Sequence, residues 1–198
     1  MLSRSLFLLV TLFSCAVHAL DFSPKTVSTD EDGSPRRCIF FVDGDAYAYM
    51  SLFANWSAEG SPMECVFSSN TGLAAQGVLS NPSTRIFVGG KIMREEIAPT
   101  LVQLLPPKSD KVTVVNQPQK AVETKVPSAG GPTEAEVEYT LANVSMKKGL
   151  FLVRTQDKRW LQCIITAPRS EYAVASKELR NMMRSWFPTK NRLPEFSR

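Results

Sequence analysis

Hydrophobic and polar positions alternate most regularly in the last third of the chain. Over 135–144, Val137, Tyr139 and Leu141 fall on one side and Glu136, Glu138 and Thr140 on the other, which predicts a half-buried strand. Lys147-Lys148-Gly149 predicts a turn into an apolar run over 150–155, and Asp157-Lys158 a second turn into 159–166. Together these make an antiparallel meander. A helix follows to Trp186, opened by Pro168 and the capping candidate Ser170. Its apolar stripe is Tyr172, Ala175, Leu179, Met182, Met183 and Trp186. Pro188 stops it.

Further upstream the pattern is more broken. Residues 38–42 (CIFFV) read as a buried strand ended by Asp43-Gly44-Asp45. Residues 46–56 fit a helical face through Tyr49, Phe53 and Trp56, and equally an alternation through Tyr47, Tyr49 and Phe53. Residues 63–67 and 84–88 predict strands, with 70–82 as a loop between them. Residues 91–105 predict a helix through Ile92, Ile97 and Leu101, kinked or restarted at Pro99 and ended by Pro106-Pro107. Residues 111–115 (KVTVV) predict a strand from β-branched content. Three prolines and Gly130-Gly131 make 117–133 a long flexible loop.

The N-terminus has its own pattern: Arg4, then the apolar run LFLLVTLF, then Ala16-Val17-His18-Ala19. This is the layout of a secretory signal cut after Ala19, and its run is shorter than the roughly 20 residues of a membrane span. The expected organisation is a signal peptide at 1–19, a flexible segment at 20–37, a single domain at 38–187 and a tail at 188–198. A second cut is conceivable, since Leu12-Phe13-Ser14-Cys15 resembles a lipobox, which would associate the protein with a membrane through a lipidated Cys15. Asn55-Trp56-Ser57 and Asn143-Val144-Ser145 fit the glycosylation sequon and matter only in a eukaryotic secretory route.

Composition then narrows the chemistry. The 198 residues, 43% hydrophobic and 21% charged, suit one globular domain. The single histidine, His18, lies inside the expected signal. The domain therefore lacks the imidazole of Ser-His-Asp triads, Cys-His pairs and histidine-ligated metals. Removing the signal loses Arg4 and no acid, which leaves 22 Lys+Arg against 19 Asp+Glu, a net charge of +3. That is too mild for nucleic-acid binding. Of the three cysteines then left, Cys38 and Cys65, on neighbouring predicted strands, are the candidate disulfide, and Cys163 reads as a buried thiol.

Four local strings could carry chemistry. Asp43 and Asp45 could hold Ca²⁺ or Mg²⁺ at a strand end, although a turn explains them better. Gly89, Gly90 and Lys91, between a predicted strand and helix, could greet an anion, without P-loop spacing. Ser145-Met146-Lys147-Lys148 matches a Ser-x-x-Lys string but falls at a strand turn instead of a helix start. Trp160, with Lys158 and Arg159 beside it, is a candidate partner-binding rim at a sheet edge. No cofactor is implied.

An upstream helix (91–105), a strand (111–115), three meander strands with charged turns and a closing helix ending in Met182-Met183-Arg184-Ser185-Trp186-Phe187 resemble the PsbP-like and DcrB-like group. The resemblance covers roughly 84–187. It implies an α+β fold, an antiparallel β-sheet flanked by helices (an α/β/α sandwich). It also implies an exported, non-enzymatic accessory protein that binds protein partners in an envelope or secretory assembly. The alternative is a histidine-independent hydrolase using serine or paired carboxylates.

Overall fold

The computed structural model describes residues 20–31, 34–70, 74–117 and 133–190. The expected signal at 1–19, with Cys15 and His18, most of the 117–133 loop and the tail beyond Lys190 lie outside the described residues. The rest is a single α+β domain, mostly antiparallel sheet with two short helices.

The described residues of the expected flexible segment at 20–37 instead form one strand of a long antiparallel pair and the start of the other. Strands β1 (Leu20–Glu31) and β2 (Ser34–Asp43) pair antiparallel from Leu20↔Asp43 to Glu31↔Ser34. The polar composition of β1 hid it, because among its described side chains only Leu20 and Phe22, at its start, enter the core. A register shift between Asp21 and Lys25 takes up the rest, with the Ser23 N–H donating to Asp21 Oδ1 at 2.8 Å.

The ambiguous 46–56 stretch resolves into β3 (Ala46–Leu52) and the start of β4 (Trp56–Gly60). In β3 the inward set is Ala48, Met50 and Leu52, so Tyr47 and Tyr49 face outward, opposite to the alternation expected for them. Outward Phe40, Tyr49 and Phe187 sit in one register row. Their ring centroids are 5.8 and 5.3 Å apart.

The expected 70–82 loop contains β6 (Gln76–Ser80), an interior strand, between β5 (Glu64–Ser69) and the C-terminal meander. The expected strand at 84–88 shrinks to β7 (Phe87–Val88), paired with β8 (Lys91–Ile92). The expected 91–105 helix shortens to a 3-10 turn at Arg94–Glu96 and α1 (Ile97–Gln103). Pro99 is the third residue of α1, where an N–H would have no acceptor within the helix, so it is tolerated there without a kink.

Next come β9 (Asp110–Asn116), β10 (Glu134–Leu141), β11 (Val144–Arg154) and β12 (Trp160–Pro168), close to expectation. The first meander turn is at Ala142-Asn143, both left-handed at φ 48 and 65, with Lys147-Lys148-Gly149 inside β11. Helix α2 (Tyr172–Arg184) buries the expected stripe, but Glu171 stands at its N-cap, not Ser170. The expected tail begins as β13 (Phe187–Thr189), paired with β3, because Pro188 sits at a sheet edge where its missing N–H costs little.

Among the described residues the strands form a four-stranded sheet (β1-β2-β3-β13), a seven-stranded sheet (β4-β5-β6-β12-β11-β10-β9) and the small β7-β8 hairpin. Alternation along β11 assigns the two faces of the larger sheet. Phe151 joins the core shared with the small sheet and α2, while Leu150 and Leu152 join the core under α1. The finer expectation, one sheet with helices on both faces, is modified, since the small sheet occupies one face together with α2.

Candidate functional site

Asp43 ends β2, and Gly44 (φ 60) with Asp45 makes the two-residue turn into β3. At the far end of the molecule's sequence, Thr155 holds the β11–β12 turn. Its N–H donates to the Arg159 carbonyl at 2.9 Å, its hydroxyl donates to Asp157, and Lys158 is left-handed at φ 65. This aims the Arg159 guanidinium at Asp43 Oδ2, 2.5 Å away, and at Asp157 Oδ2, 3.2 Å away. The hydrogen bond to Asp43 raises the Arg159 pKa against the opposing effect of burial, with further help from the charges of Asp43 and Asp157. The geometry is that of an electrostatic clasp between the two sheets.

The candidate cation ligands are therefore not brought together. Asp43 turns to Arg159, and Asp45 stays exposed at the turn. Among the described residues no group of three or more His, Cys, Asp or Glu could hold a metal ion. The predicted Trp160 rim is also divided. Arg159 enters the clasp, and Trp160 is half-buried against the core under α1, with the Arg154 guanidinium 5.8 Å from its ring centre. Only Lys158 remains on the surface.

Gly89 (φ 55) and Gly90 (φ 81) form the tight turn of the β7–β8 hairpin, with Lys91 exposed. They do not open a helix: α1 starts six residues later and is only seven residues long, so the expected anion geometry is not formed. The Ser145-x-x-Lys148 string lies along a strand, where positions three apart point to opposite faces. Lys148 reaches instead to the Leu104 carbonyl at 2.6 Å, below the end of α1, and burial lowers its pKa.

No disulfide joins Cys38 to Cys65. Cys38 lies on the outward side of β2, between inward Arg37 and inward Ile39, whereas Cys65 points into the core from another sheet. Spacing along the sequence suggested neighbouring strands, but the two strands belong to different sheets. Cys65 and Cys163 flank Leu79 in one register row of the large sheet, and both are fully buried.

Open depressions also lie on the surface of the described residues. One, about 230 Å³, runs along α2 beside Ser176, Lys177, Arg180 and Arg184, where Arg180 pairs with Glu134 at 2.7 Å. The other, about 710 Å³, lies between Ser145 and Arg169, and Arg169 pairs with Glu138 at 3.2 Å. With Glu136 and Lys147 at 2.9 Å, the outward carboxylates of β10 thus each meet a cation. They serve as cross-strand and helix-to-sheet ties.

What the sequence reading missed is an apolar margin. Among the described residues strand β9 pairs only with β10, at the edge of the large sheet, and Val112, Val114 and Val115 are 43%, 41% and 45% exposed. Val102 and Leu104, at the end of α1 and just past it, are exposed as well. The signal was present in KVTVV: valines at 112, 114 and 115 cannot all point to one side of a strand.

No protein-family model matches the sequence, and no curated protein matches it. Among solved structures the chain is similar to a mutant of protein Mog1, at 12% identity and a TM-score of 0.43, over 84% of this chain and 96% of that one. It is also similar to the Saccharomyces cerevisiae Ran-binding protein Mog1p, at 11% identity and a TM-score of 0.40, over 83% of this chain and 96% of that one.

Proposed function

We propose that this chain is an exported, non-catalytic binding protein of an envelope or secretory assembly, periplasmic or extracellular, which engages a protein partner at the open edge of β9. The observation that carries the reading is the set of exposed valines on that strand, a few residues after the exposed Val102 and Leu104 at the end of α1. An edge strand presents unpaired backbone N–H and C=O groups, and natural proteins usually cover, shorten or charge such edges. An extended segment of a partner can add there as a further strand, the backbone supplying affinity and the valines specificity. The companion fold reading is the PsbP-like sandwich, with α1 and α2 as its flanking layers and the small sheet as an addition.

The hydrolase alternative needs a nucleophile or a carboxylate pair free to act. Asp43, its leading carboxylate, is bound to Arg159. The deciding experiment fractionates cells producing the full chain and then compares binding by wild type and a Val112→Lys/Val114→Lys double variant. Export, with a partner held by wild type and lost at least tenfold by the variant, is the expected result. Equal binding by both removes β9 from the reading, and retention in the cytoplasm removes export. Concentration-dependent self-association abolished by the same variant would make the occupant a second copy.

A further inference from the structure

The two glycosylation sequons, at Asn55 and Asn143, are treated oppositely by the fold. Asn55 precedes β4, and its Nδ2 donates to Glu178 Oε2 of α2 at 3.1 Å. Trp56, the middle residue of that sequon, is fully buried and donates its indole N–H to the same oxygen at 2.8 Å. A sugar on Asn55 would be wedged against α2. Asn143 instead ends the two-residue turn between β10 and β11, left-handed at φ 65, a conformation that asparagine tolerates. Asn143, Val144 and Ser145 are all exposed. They border the larger of the depressions described above, across from Pro168 and Arg169. Space for a bulky group is thus open at Asn143 and closed at Asn55.

We propose that Asn143 is an N-glycan acceptor and that the folded protein carries no glycan at Asn55. The proposal rests on the export reading above, taken through a eukaryotic secretory route, and adds which surface is modified there. The donor is an oligosaccharide joined through pyrophosphate to a lipid, and the transferase reads the Ser145 hydroxyl two residues beyond the acceptor. A bond forms from Asn143 Nδ2 to the anomeric carbon of the first sugar. The bond from that carbon to the pyrophosphate oxygen breaks, its electron pair leaves on the lipid pyrophosphate, and Nδ2 gives up one proton. In the nascent chain both sequons are reachable, so it is folding that separates them. A chain modified at Asn55 closes β4 poorly onto α2 and is held back, whereas one modified at Asn143 folds unhindered. The glycan is bulky and solubilising, and it stands beside Val144, which is 49% exposed.

The test produces the full chain in a eukaryotic secretory host, once as it stands and once behind a secretory signal of the host. The secreted product is expected to lose the mass of one glycan on treatment with a peptide-N-glycosidase. The peptide map should then show a carboxylate in place of the Asn143 amide. Ser145→Ala, which spares the left-handed position, and Asn143→Gln should each abolish that mass shift. Ser57→Ala, which removes the Asn55 sequon, should leave it unchanged. A secreted product without glycan, or a glycan that persists in Ser145→Ala, overturns the proposal whatever becomes of the export reading. If only the chain behind the host signal is secreted, and it carries the glycan at Asn143, the acceptor site stands and the export reading falls.

Discussion

The two faces of the seven-stranded sheet are buried by very different means. On one, the small sheet and α2 close over Phe22, Phe41, Trp56, Phe67, Leu79 and Trp186, all of them buried. On the other, the seven-residue α1 covers Ile86, Val137, Leu150 and Leu152 through Ile97 and Leu101, and the margin beyond it at β9 is exposed valine. A helix that short has little stability of its own and depends on the face it covers. The thick face holds most of the buried aromatic side chains, and the thin face borders the exposed valines of β9. Binding elements are commonly drawn from the less stable parts of a structure.

Truncating one large side chain on each face is the strongest way to break that division. Phe41 stacks on Trp186 at 5.4 Å and meets Phe22 edge-on at 6.1 Å, so Phe41→Ala should cost about 3–5 kcal/mol and speed amide exchange throughout. Leu101→Ala should cost about 2–4 kcal/mol, with exchange increased chiefly in α1 and β10. Denaturant unfolding gives the costs, and residue-resolved exchange gives their reach. Uniform exchange increases in both variants would mean that the two faces open as one unit.

Much of the thin face and its meander was legible in the sequence. β10 alternates cleanly, β11 and β12 carry apolar runs, and the turns between them carry charged or left-handed residues. The thick face was harder to read because its strands take their places from partners distant in sequence. Among the described side chains of β1, Leu20 and Phe22 alone join the core, and a run of LDFSPKTVSTDE gives no period to follow. β6 is five residues with a glycine, and the glycine is there because Leu179 of α2 lies against it: a Cβ on Gly77 would sit 2.5 Å from Leu179 Cδ2. The candidate site shows the same limit. Asp43 and Arg159 were each noticed, but their pairing spans 116 positions and exists only once the two sheets face each other.

Alkaline pH should sharpen the contrast, because both buried thiols belong to the thick face. Burial pushes the Cys65 pKa up from 9.0 to about 12 and moves that of Cys163 the same way, chiefly by the same cause. A thiol protonated in the fold but ionised in the unfolded chain makes the folded state bind more protons, so stability falls as pH rises above 9. The slope approaches about 1.4 kcal/mol per pH unit for each thiol, continuing for Cys65 to about pH 12. Tyr172 and Tyr139, also raised by burial, add to the loss above pH 10. The Cys65→Ala/Cys163→Ala protein should lose less stability than wild type between pH 9 and 10, measured by denaturant midpoints. Parallel profiles would show that the thiols are not what alkali attacks.

The smallest expected effect tests how closely α2 is seated. Gly149 lies in β11 under the first turn of α2, and a Cβ there would run into the Tyr172 hydroxyl while only touching Ile165. Tyr172 cannot simply swing out, since its ring is buried and Lys147 stands over it with Nζ 4.8 Å from the ring centre. Gly149→Ala should therefore cost about 1–3 kcal/mol, the range for adding a methyl to a packed core. α1 has no such close approach to β11, resting there on the side chains of Leu150 and Leu152. The added methyl should act through Tyr172 alone, so Tyr172→Phe, which removes the obstructing oxygen, should recover part of the loss. A Gly149→Ala protein as stable as wild type would show that α2 can shift on the sheet, and that the thick face has slack of its own.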